Sequence, residues 1–78
     1  MPTIDTIGAY RFFFYSSDRN EPPHVHVERE KRKAKFWLDP VRFSYSSGFS
    51  QSEINRIQRI VEDNRERFLR GWNEFFSD

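Results

Sequence analysis

The sequence predicts an α+β domain: an antiparallel four-stranded meander followed by one long C-terminal helix packed on one face (ββββα). Three observations carry this. Between residues 10 and 45, short runs alternate apolar and polar side chains, the period of strands, and turn-forming residues separate them. From about Gln51 to Phe75 the spacing becomes helical, with Ile54, Ile57, Val61, Phe68 and Trp72 on one stripe and Leu69 and Phe76 beside it. Between the two regions stands a helix start: Ser50 and Glu53 form an S-x-x-E capping box, and Phe49 and Ile54 occupy the two positions of a hydrophobic staple.

Each element has its own local reason. Residues 2–6 lean towards extended structure but are short, and Gly8 separates them from the first clear strand. That strand is Tyr10 to Tyr15, with Phe12 and Phe14 on one face and Arg11, Phe13 and Tyr15 on the other. Both faces are largely aromatic, so the period alone does not choose the buried one. Ser16 to Glu21 is turn chemistry, rich in Ser, Asp and Asn. Pro22 and Pro23 stiffen the entry to the second strand, about residues 24–29.

In that second strand Val25 and Val27 point one way and His24, His26 and Glu28 the other. Glu30 to Arg32 is a charged tip, and Lys33 to Leu38 returns. A two-residue turn at Lys31-Arg32 pairs Val27 with Phe36 and Val25 with Leu38. On the other face it pairs His26 with Trp37, Glu28 with Lys35 and His24 with Asp39. Asp39-Pro40 turns the chain into a fourth strand, Val41 to Tyr45, and Ser46-Ser47-Gly48 ends it. Asn64 interrupts the helical stripe, and Gly71 costs about 1 kcal/mol relative to Ala within a helix.

Seventy-eight residues make a single domain, 1–78, with a core small enough that most apolar positions are needed. The absence of cysteine excludes disulfides and thiol chemistry. No apolar run approaches membrane-spanning length and no signal peptide is evident, so a soluble, cytoplasmic protein is expected. Thirteen basic and twelve acidic residues give a net charge of +1, unlike the strong basic excess of a dedicated nucleic-acid binder. Fourteen aromatics are more than so small a domain hides easily, which points to a contact surface.

One helix covers one face of the sheet. By the hairpin register above, the uncovered face carries His24, His26, Glu28, Lys35, Trp37 and Asp39, and this is the candidate binding surface, with Pro23 at its edge. Cross-strand polar pairing on a solvated face is the plainer account of the same residues. His24 and His26 are spaced to share a metal ion, with Glu28 and Asp39 as further ligands, but zinc needs three or four ligands and the spacing is weak. No metal and no cofactor are therefore expected. The same histidines are the candidate catalytic groups, as a general acid–base pair with Asp39 as orienting carboxylate. Arg29, Lys31, Arg32, Lys33 and Lys35 make a basic hairpin tip. With Phe13, Tyr15 and Trp37 it is suited to single-stranded nucleic acid, or it is a solvated tip that resists edge pairing.

The segments Met1-Pro2-Thr3-Ile4, Arg11-Phe12-Phe13-Phe14-Tyr15 and Asn20-Glu21-Pro22-Pro23-His24-Val25-His26-Val27-Glu28 resemble a small prokaryotic family, domain-of-unknown-function family 4160. So do Ala34-Lys35-Phe36-Trp37-Leu38-Asp39-Pro40-Val41 and the ending Phe68-Leu69-x-x-Trp72-Asn73. The resemblance covers essentially the whole chain, and P-P-H-x-H is its most specific part. Its marked positions are Pro22, Pro23, His24, His26, Trp37 and Trp72. Asn64 stands where many members carry histidine, so a three-histidine site is not expected here.

The resemblance implies an arrangement beside a second family of unknown function, number 2442, in pairs that look like toxin–antitoxin modules. The expected function is thus that of a small interaction protein, one component of such a module, binding a small partner protein encoded nearby. A homodimer and nucleic acid are alternative partners. The alternative function is a ribonuclease-like toxin or nucleic-acid-binding domain using His24 and His26, with Lys33 and Lys35 on phosphate.

Overall fold

The computed structural model describes residues 3–77, so Met1 and Pro2, where the family resemblance begins, lie outside it. The chain forms five antiparallel strands, not four, followed by two helices, not one. The additional strand is β1, Thr3–Ile7, a segment whose composition leans towards extended structure but whose shortness hides its pairing. Gly8 adopts φ +60° and closes the tight turn to β2, Tyr10–Phe13. A 3-10 segment, Ser16–Asn20, then leads to β3, His24–Arg29. β4, Arg32–Leu38, and β5, Val41–Ser47, complete a sheet in which every strand pairs with its sequence neighbour, in the order β1-β2-β3-β4-β5.

The β3–β4 hairpin keeps the expected facing but shifts register by two residues. Val25 pairs with Phe36 and Val27 with Ala34; His24 faces Trp37, His26 faces Lys35 and Glu28 faces Lys33. The reason is the turn, which sits at Glu30-Lys31 and not at Lys31-Arg32. Glu30 takes the left-handed conformation, φ +57°, without the Asn or Gly that would advertise it. A two-residue slip preserves which face each side chain occupies, so the apolar pattern cannot choose between the two registers.

Helix α1, Gln51–Asp63, starts at the expected N-cap, with the Ser50 hydroxyl accepting from the Glu53 backbone N–H, but the Glu53 carboxylate does not return to Ser50 to complete the expected capping box, because it is engaged by side chains of the sheet. It ends at Asn64, whose side-chain amide donates to the Ile60 carbonyl at 2.8 Å. The Asn64 carbonyl in turn accepts from Phe68 N–H, starting α2, Arg65–Phe75. The residue that breaks the apolar stripe therefore breaks the helix itself. Ile54, Ile57 and Val61 from α1 and Phe68 and Trp72 from α2 are buried against Phe12, Val25, Val27, Ala34, Phe36 and Leu38 of the sheet and against Phe14 just beyond β2.

Polar clamps hold the helices at both ends of α1. Glu53 receives Arg29 and Arg32, each at 3.2 Å, and the Tyr10 hydroxyl at 3.3 Å. Two cations of the expected basic tip are thus committed to the helix start. Arg65 bonds the Leu38 carbonyl at 3.0 Å and Asp39 at 2.7 Å. No helix among the described residues is long and apolar enough to cross a membrane.

Ile57 has no exposed surface and sits centrally on α1. Ile57→Ala is expected to lower the unfolding free energy by about 2–5 kcal/mol, read as a reduced urea midpoint with an unchanged slope.

Candidate functional site

The sheet face away from the helices is not fully open. The chain between β2 and β3 folds back over it, and the 3-10 segment lays Asp18 against the start of β3. Under this cover His24 is 0 % exposed, His26 8 % and Asp18 7 %. Phe13 is buried on the same face, stacked on His26 at 5.5 Å between ring centroids, with the Arg11 guanidinium 4.4 Å from the centre of its ring. Tyr15 packs edge-on against His26 at 4.6 Å. The expectation of a wholly uncovered face is corrected accordingly. The connection over residues 14–23, carrying its own aromatic and carboxylate, finds partners on the sheet.

Asp18 organises the covered zone. Its Oδ2 accepts the Tyr15 backbone N–H at 2.9 Å and the His26 ring at Nε2 at 3.0 Å. The same oxygen lies 3.1 Å from Nε2 of His24. The ligand atoms of Asp18, His24 and His26 all fall within 4.8 Å of one another. The two rings meet edge to face at 5.0 Å, as side chains at i and i+2 of one strand face do. Burial pushes His26 below the ordinary histidine range, with the Asp18 carboxylate opposing it.

His24 is held by its other nitrogen. Nδ1 lies 2.9 Å from the Pro22 carbonyl oxygen. A carbonyl only accepts, so Nδ1 carries a proton, and in the neutral ring Nε2 presents its lone pair. That Nε2 is fully buried and has no hydrogen-bond partner, because Asp18 Oδ2 is near in distance but outside hydrogen-bonding geometry. Trp37 and Trp72 close around the ring at 5.4 and 5.1 Å.

The other expected residues spread outwards. Lys35, opposite His26, pairs with Glu21 at 2.6 Å and lies over Trp37 at 4.5 Å. Its ammonium hydrogen bond lowers the Glu21 carboxyl below the usual range. Glu28 is directed to Arg11 at 2.6 Å, and Asp39 to Arg65, so neither joins the histidines. Asn64 is turned to its own helix. Pro22 and Pro23 line a separate cleft of about 300 Å³ with Trp37, Asp39, Pro40, Arg42 and Phe43.

Asp18 is the residue that sequence reasoning misses, since it lies in a stretch with ordinary turn chemistry. Its signal is nonetheless present: an aspartate in a short connection, with two histidines on one strand face within the next eight residues. Asp18→Ala leaves the Tyr15 N–H and the His26 ring without their acceptor. In metal-free protein this is expected to cost about 1–3 kcal/mol, measured by urea unfolding.

A family model, Domain of unknown function (DUF4160), matches residues 9–73. No curated protein and no solved structure matches the chain. The matched span runs from the turn before β2 nearly to the end of α2 and contains Asp18, both histidines and both tryptophans, so the chain belongs to the DUF4160 family.

Proposed function

We propose that this protein is an interaction module, one component of a two-gene toxin–antitoxin-like pair, and that it takes an extended segment of its partner protein along the edge of β5. The observation that carries this reading is the character of that edge. β5 is seven residues long, ends the sheet, and displays Phe43 at 42 % and Tyr45 at 51 % exposure, the two exposed large hydrophobics among the described residues. Its sequence carries a single charge, Arg42, and no proline. Proteins that do not use an edge usually blunt it with charge, proline or brevity. The opposite edge, β1, is shorter and carries Asp5, which Arg67 engages at 2.9 Å.

The cleft lined by Pro22, Pro23, Trp37 and Phe43 adjoins the start of β5. A strand laid on β5 would gain main-chain hydrogen bonds from the edge and a side-chain pocket from the cleft, the two components of strand-addition recognition. The near-neutral charge fits a protein partner better than a polyanion. The ribonuclease-like alternative draws no support from the geometry, since His24 has no exposed surface and a phosphate could not reach it past the Asp18 cover.

Co-expression with the product of the adjacent gene should yield one complex by size-exclusion chromatography at micromolar concentration. The double variant Phe43→Glu with Tyr45→Lys should weaken that complex at least about tenfold, as loss of an aromatic anchor does at other interfaces. Two separate wild-type peaks would remove the proposal.

A further inference from the structure

The geometry points to a metal site: we propose that Asp18, His24 and His26 bind one divalent transition ion of the zinc class, and that the ion fastens the β2–β3 connection to the sheet. The argument begins with the lone pair of His24. Its Nδ1 proton is fixed by the Pro22 carbonyl at 2.9 Å, so in the neutral ring Nε2 is an acceptor, yet it is buried, lacks a hydrogen bond, and faces a carboxylate oxygen at 3.1 Å. Two lone-pair-bearing atoms at that distance in a buried site repel unless a cation lies between them. The second ring also directs Nε2 to that oxygen, at 3.0 Å.

The spacing suits an ion. Two ligands each about 2.0–2.2 Å from a metal, at close to a right angle, stand about 3 Å apart. Two imidazoles and a carboxylate are a donor set for zinc and its neighbours, not for calcium or magnesium. The supporting bonds are those of a metal centre: a ligating histidine typically gives its other N–H to a backbone carbonyl, as His24 does to Pro22. On binding, the ion takes the place of the proton on His26 Nε2, which the ring then carries on Nδ1. Three protein donors leave a fourth position for water.

The chain has two histidines and no cysteine, which makes the test clean, because imidazole ligation has one place to occur. Chelator-treated full-length protein is titrated with Co²⁺ and with Zn²⁺. The expected result is one equivalent bound per chain, a visible cobalt ligand-field spectrum, zinc-induced shifts of Nε2 in both histidines by ¹H–¹⁵N NMR, and a raised Tm. Asp18→Asn, which keeps an acceptor for Tyr15, and His26→Gln should each weaken binding at least about tenfold. The NMR measurement on wild type stands even if a variant fails to fold. The proposal is overturned by no stoichiometric binding at millimolar metal, by binding undiminished in both variants, or by histidine resonances that ignore zinc. It is equally overturned if both His24 nitrogens prove protonated and stay so with zinc present, the cation then being a proton.

Discussion

A single carboxylate oxygen, Asp18 Oδ2, draws a loop down onto a sheet. It takes the Tyr15 backbone N–H and the His26 ring and confronts the lone pair of His24. Without that oxygen the connection between β2 and β3 has little reason to cross the sheet. Phe13 and His26 would then lose much of their cover. With it, the protein has a second, smaller buried zone on the sheet face turned from the helices, reached at its His24 end by Trp72 of α2. A domain of this size has a marginal core, and the second zone adds aromatic packing that one helix layer could not provide.

The two faces are built by different chemistry. On the helix side, β-branched and aromatic residues from the sheet and from α1 and α2 interdigitate, and the polar groups stay at the rim, with Glu53 at one end and Arg65 at the other. On the other side, packing and polar satisfaction are inseparable. Phe13 stacks on His26, His26 bonds Asp18, and Asp18 secures Tyr15, whose ring returns to His26. Such a closed circuit fixes the orientation of each member, because moving one ring leaves a buried polar atom unpaired.

Much of this is legible in the chain. The α+β class, the meander, the strand His24–Arg29, the N-cap at Ser50 and the apolar stripe of the helices all come from period and local hydrogen bonding. Two features resist for the same reason: their determinants are single residues doing something uncommon for their type. Glu30 adopts a left-handed turn without a glycine signal, and so the hairpin register expected from the pattern lies two residues from its true setting. Asn64 is a gap in a stripe, but a polar residue at a stripe margin and one that ends a helix look alike until its amide is found on the Ile60 carbonyl. The site is half legible. The His-x-His face announces itself, whereas its burial depends on a connection whose path no periodicity describes. The carboxylate partners expected from register, Glu28 and Asp39, are bound elsewhere.

The neighbour-to-neighbour strand order shapes how the protein comes into being. Three of the four hairpins have tight turns and the fourth a ten-residue connection, so every pairing is local in sequence, the circumstance of quick folding. The rings that seal the first hairpin are different: Phe12 meets Phe68 and Phe14 meets Trp72, across most of the chain. Until α2 docks, the aromatic underside of the sheet is bare, and a bare apolar sheet face is adhesive.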